Sequence, residues 1–132
     1  MDRDRKDRRY DAAMKFHVPS TEDYAAALHR TRFNTAQLAM LSAHADAGGR
    51  GLTATDLARA AGYDRASSAN LHYGKAGRLL AQSLAVDIPP SNSRVDLPTA
   101  VIGHWLETPG EDSIGRWIMY PELVQAIKKR PL

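Results

Sequence analysis

Ser67, Ser68, Asn70, Lys75 and Arg78 stand close together in the chain, with Arg65 just before them. Each of these residue types has a defined use on a nucleic acid. An Asn carboxamide can pair bidentately with adenine, and Lys or Arg can reach guanine or phosphate. Serine hydroxyls near a helix start can join the backbone N–H groups there in donating to phosphate. The spacing matters as much as the types. On a helix that turns about 100° per residue, Ser67, Asn70, Gly74, Lys75, Arg78 and Gln82 gather on one side. Ala69, His72, Tyr73, Ala76, Leu79, Leu80 and Leu84 gather on the other. The first side is expected to face outward and the second to enter a core, with Leu71 as an apolar exception on the outward side. An ordinary solvated helix face would carry the same polar residues, and DNA contact is weighed against that reading. Arg65 is a candidate phosphate contact in the turn before the helix, and Arg50 is a weaker one.

Other chemistries find little support. The five histidines are His17, His29, His44, His72 and His104, and none has a metal-ligand spacing such as H-E-x-x-H. His72 is expected at the core edge beside Tyr73. The chain has no cysteine, which excludes disulfides, thiolate metal sites and cysteine nucleophiles. No nucleophile elbow, P-loop or dinucleotide fingerprint occurs. Gly48-Gly-Arg-Gly51 precedes no strand–helix phosphate cradle and reads as a loop. The carboxylates are scattered. The expectation is a protein that is not an enzyme, with no metal and no cofactor.

Composition sets the frame. With 132 residues, 43% of them hydrophobic and 25% charged, the chain suits one domain with one core. Its formal net charge of +3 is permissive for nucleic acid but mild. The densely charged start has no apolar stretch of the signal-peptide kind. No apolar run approaches the roughly 18–20 residues that span a bilayer. The expected compartment is therefore the cytoplasm, with no membrane partner.

The elements that must position the polar face can be read along the chain. Residues 1–18 read as a charged, flexible segment; Arg3, Arg5, Lys6, Arg8 and Arg9 alternate with Asp2, Asp4, Asp7 and Asp11. Residues 19–132 read as the folded domain. Ser20 or Thr21 caps a first helix that carries Tyr24, Ala27 and Leu28, and Asn34 or Thr35 caps a second with Leu38, Leu41 and Ala45. Gly48 stops it. Thr53, with Asp56 in the manner of a capping box, starts a third helix, and Thr55 is a rival cap. Gly62 permits the sharp turn after it. The fourth helix runs from about Ser67 to Leu84. Gly74 and Gly77 each cost it roughly 1 kcal/mol of propensity relative to Ala, which suggests close approach by another backbone, a partner helix or a ligand. Residues 53–84 thus read as a helix-turn-helix. Two β-type runs, Thr99–Leu106 and Ser113–Met119, predict a hairpin across a turn at Thr108–Asp112. Trp105 and Trp117 are expected to form a cross-strand pair. Pro121 and Glu122 open a last helix that ends in Lys128-Lys-Arg130. The predicted fold is mainly α with a small β-hairpin, a single winged helix-turn-helix-like domain.

The words Leu52-Thr-Ala-Thr-Asp-Leu-Ala-Arg-Ala-Ala-Gly-Tyr63 and Ala69-Asn-Leu-His-Tyr-Gly-Lys-Ala-Gly-Arg-Leu79 resemble a family of small bacterial domains. Its pattern is close to T-A-T-x-L-A-x-A-x-G-Y followed by A-x-N-L-Q-Y-G-x-L-G/A-R. The likeness continues into Trp117-Ile-Met-Tyr-Pro-Glu-Leu-Val-Gln-Ala126 and covers roughly residues 21–127. His72 stands where the pattern has Gln, and Tyr120 where it has Arg. Such domains occur alone or fused to HNH-type nucleases in restriction-like systems. The resemblance implies a winged-helix reader of double-stranded DNA, including modified DNA. No nuclease half is present in this sequence, so any nuclease served would be a separate chain.

Two functions follow as expectations. The preferred one is a non-enzymatic DNA-binding protein that uses the helix-turn-helix as a regulator or as the recognition component of a defence or restriction-like system. Arg65, Lys75 and Arg78 would supply affinity, and Asn70 with its neighbours base preference. The alternative is a protein–protein interaction module on the same fold, such as a phage or mobile-element inhibitor or adaptor. Glu107, Glu111 and Asp112 near the hairpin tip favour the alternative, because like charge repels phosphate. Arg94 and Arg116 are the cations nearest that hairpin. A homodimer through the first or last helix suits either function.

Overall fold

The computed structural model describes residues 16–89, 97–107 and 115–132. The charged N-terminal stretch before Phe16, the loop that holds Arg94, and the hairpin tip with Glu111 and Asp112 lie outside the described residues.

Helix α1 (Thr21–Arg30) starts where the Ser20 hydroxyl accepts from the Asp23 N–H at 3.1 Å. Helix α2 (Thr35–Ala47) starts on a reciprocal pair. The Asn34 carboxamide accepts from the Gln37 N–H at 2.8 Å, and Gln37 Oε1 accepts from the Asn34 N–H at 2.9 Å. A short 3-10 turn (Gly48–Arg50) follows. Helix α3 (Ala54–Ala61) is capped by Thr53, with Asp56 completing the box at 3.0 and 3.1 Å. Thr53, not Thr55, is therefore the cap, and such caps are worth about 0.5–2 kcal/mol each. Gly62 ends α3 with φ 80° and ψ 21°, the left-handed conformation that an L side chain disfavours. Helix α4 (Ala66–Leu84) follows after three residues. It ends at Ala85, which takes the left-handed conformation (φ 57°) without being glycine.

The chain then forms a 3-10 segment (Pro98–Val101), strand β1 (Gly103–Glu107), strand β2 (Gly115–Met119) and helix α5 (Pro121–Lys129), with Pro121 at the first helical position. The strands pair antiparallel, with Trp105 opposite Trp117. Among the described residues the architecture is five α-helices and one two-stranded hairpin. No described helix is long and apolar enough to cross a membrane.

One apolar core unites these elements. Tyr24 from α1, Met40 and Leu41 from α2, Leu57 from α3, Tyr73 and Leu80 from α4, Met119 from β2 and Leu123 from α5 are all buried in it. A polar seam runs through the same core. His44 is fully buried, with Nδ1 2.7 Å from the Tyr73 hydroxyl and Nε2 2.7 Å from the Trp117 carbonyl. A carbonyl only accepts, so Nε2 carries the proton and the Tyr73 O–H donates to Nδ1. Burial lowers the His44 pKa, against the Trp117 carbonyl bond, which raises it. The seam joins α2, α4 and β2. Tyr24 adds a second tie by donating to the Val101 carbonyl at 2.8 Å.

One expected strand start is corrected. The first strand was expected from Thr99, but Thr99, Ala100 and Val101 belong to the 3-10 segment. Pro98 provides the physical reason: it has no N–H for a sheet and a φ suited to a helical first turn. Of the second expected run, Gly115–Met119 is strand, and Ser113 lies outside the described residues. In addition, α4 begins at Ala66, one residue before the expected start, with Arg65 at the N-cap.

Candidate nucleic-acid interface

Ser67, Asn70, Lys75, Arg78 and Gln82 are exposed along α4, and Ser68 is half-buried. Ser67 and Arg78 are separated by about 16 Å of helix at 1.5 Å rise per residue. Ala69, Tyr73, Ala76, Gly77, Leu80 and Ala81 are buried on the opposite side. This seating fixes the outward face as a rigid unit. Leu71 lies inside that face, a turn from both Ser67 and Lys75, and keeps 58% of its surface exposed.

The start of α4 is electrostatically open. Arg65 has extended backbone (φ −125°, ψ 139°), makes no side-chain cap bond, and is followed by no acidic residue in the first turn. The first N–H groups of a helix have no partner within it and carry its positive end. Exposed Arg65 adds a full charge there, two residues before exposed Ser67.

The turn into α4 is braced rather than loose. Tyr63 stacks on His72 with ring centroids 5.2 Å apart and planes inclined by 22°. His72 is half-buried, as expected for the core edge. Gly77 lies under the 3-10 segment: a Cβ there would collide with the Pro98 carbonyl oxygen. Close backbone approach therefore explains Gly77. It does not explain Gly74, where the nearest atom to an added Cβ is Thr99 Oγ1 at 3.9 Å.

One functional candidate was missed at the level of sequence. Lys75 and Arg78 border a groove of about 410 Å³ whose other wall is the start of α2, and Arg32 lines it too. Arg32 belongs to the short connection between α1 and α2, far from α4 in the chain. Only its position next to the Asn34 cap could have drawn attention to it.

The hairpin is differently equipped. Trp105 and Trp117 meet edge to face at 5.1 Å, as expected for a cross-strand pair. Trp117 is buried, while Trp105 and Leu106 keep 46% and 49% of their surface exposed. Arg116 is half-buried in β2. The Asp56 carboxyl is held below the usual carboxylate range, first by the Thr53 N–H and further by Arg116 and Arg59. Arg50 is exposed in the 3-10 turn after α2. Among the described residues no group of three His, Asp or Glu side chains is placed to hold a metal.

No family model matches the chain, and no curated protein or solved structure matches it either.

Proposed function

We propose that the chain is a non-enzymatic DNA-binding protein that engages double-stranded DNA through the helix-turn-helix formed by α3 and α4. The observation that carries this reading is the outward row of Ser67, Asn70, Lys75 and Arg78 on a helix whose opposite side is locked in the core. A rigid helix with a base-pairing carboxamide and phosphate-seeking cations suits a major groove. A winged-helix arrangement is supported by Leu52, just before α3. It exchanges both backbone hydrogen bonds with Trp117, at 3.0 and 2.9 Å, so the hairpin extends from the helix pair it would flank. The role is that of a regulator or of the recognition component of a defence or restriction-like system in the cytoplasm. A dimer would match a symmetric site.

The test is a gel shift on modified and unmodified duplexes across a salt series. Binding is expected to weaken steeply with salt. Lys75→Ala and Arg78→Ala are each expected to weaken it about tenfold at low salt, the scale of one charge-assisted hydrogen bond. Unchanged binding by both variants refutes the site.

A second reading, a protein–protein interaction module, is favoured by Leu71 in the middle of the α4 face and by exposed Trp105 and Leu106. Capture of one protein partner that Leu71→Asp abolishes, without duplex retention, would select it.

A further inference from the structure

We infer that the groove between the start of α2 and the second half of α4 seats backbone phosphates of duplex DNA, with Arg32 as a contact residue. The inference rests on the DNA-binding reading and adds a second flank to it.

Arg32, Lys75 and Arg78 line this groove together, with the amides of Asn34, Gln37 and Gln82, and the lining contains no carboxylate. Three cations that converge without an anion among them make a strongly positive concavity, which suits a phosphodiester. The two arginines of this segment are employed differently. Arg30 donates to the Ser83 carbonyl at 2.7 Å and so serves the last turn of α4. Arg32, two residues on, is exposed at the groove.

The floor of the groove is prepared by the fold. Gln37 is buried, accepts from the Asn34 N–H at 2.9 Å and donates to the His72 carbonyl at 3.3 Å. Those bonds hold the start of α2 against α4 and fix the distance between the groove walls. The cationic strip also has an end. Beyond Arg78 and Gln82 the surface opens into a second hollow of about 420 Å³ that is lined by Asp87, a carboxylate that would repel phosphate. The hairpin flank offers less, because Arg116 is half-buried there and its charge acts on the Asp56 carboxyl. Backbone contact that holds the reading helix in register would therefore come from the α1–α2 flank.

The test compares wild type, Arg32→Gln and Arg32→Lys on a short mixed-sequence duplex, titrated between about 50 and about 200 mM salt. Circular dichroism checks that the variants are folded, which is expected because Arg32 is exposed. Loss of one phosphate contact lowers the slope of log affinity against log salt by about one. Arg32→Gln is expected to show that loss and to bind about tenfold more weakly at low salt. Arg32→Lys is expected to retain the slope. If wild type binds steeply with salt and Arg32→Gln leaves slope and affinity unchanged, the groove assignment is overturned while the DNA-binding reading stands. If wild type shows no salt-dependent duplex binding, both are overturned.

Discussion

On one side of α4, Ala69, Tyr73, Ala76, Gly77 and Leu80 are sunk into the core; on the other, Ser67, Asn70, Leu71, Lys75 and Arg78 stand in solvent. The inner side carries glycine at position 77 because a second backbone crosses it at Pro98. The outer side is exposed, so packing constrains its residues far less. The contrast teaches where each kind of constraint acts. Substitutions inward should move stability, and substitutions outward should move binding.

Gly77→Ala should break the inner side most. Its Cβ would meet the Pro98 carbonyl oxygen, a backbone atom that yields only if the 3-10 segment moves. Overpacking of this kind costs about 1–3 kcal/mol, to be read from urea denaturation. A neutral result would mean that the segment does not lie against α4 as described.

Acid should loosen the same side next. The folded pKa of His44 is lowered by burial, so the unfolded chain takes up the proton first. The stability that this group provides is complete above the ordinary value of about 6.5. It is lost as pH falls below that value toward the folded pKa. Denaturation midpoints at a series of pH values should decline in that window, and the decline should shrink in His44→Asn.

Gly74→Ala should do the opposite of its neighbour. With nothing nearer than 3.9 Å, the methyl group fits, and replacing glycine inside a helix gains roughly 0.5–1 kcal/mol. Loss of stability there would show that the two glycines share one cause. At the outer end of the scale, Lys75→Ala and Arg78→Ala should shift stability by no more than about 0.5 kcal/mol while weakening duplex binding.

Much of the helical framework was legible in the chain because its signals are local. Thr53 with Asp56, Gly62, Pro121 and the sided pattern of α4 each act within a few residues, and each appears in the structure where it was read. The pairing of Trp105 with Trp117 also follows from pattern, through the strand register. What failed was set by tertiary contact. Thr99 and Val101 have strand-like side chains, yet both are buried in a 3-10 segment that packs over Gly77 and holds the Tyr24 hydroxyl. His44 drew no expectation of its own, because its partners Tyr73 and Trp117 are distant in sequence. Arg32 joins Lys75 and Arg78 only after α2 packs on α4.

The Trp117 carbonyl accepts two hydrogen bonds at once, from the Leu52 N–H at 3.0 Å and from His44 Nε2 at 2.7 Å. One oxygen thereby couples the hairpin to both the segment before α3 and the buried imidazole. Undocking of the hairpin would free the Leu52 amide and the His44 ring in the same event. The exchange rate of that single amide proton with solvent should therefore track the cooperative opening of the whole hairpin–helix unit, not local fraying.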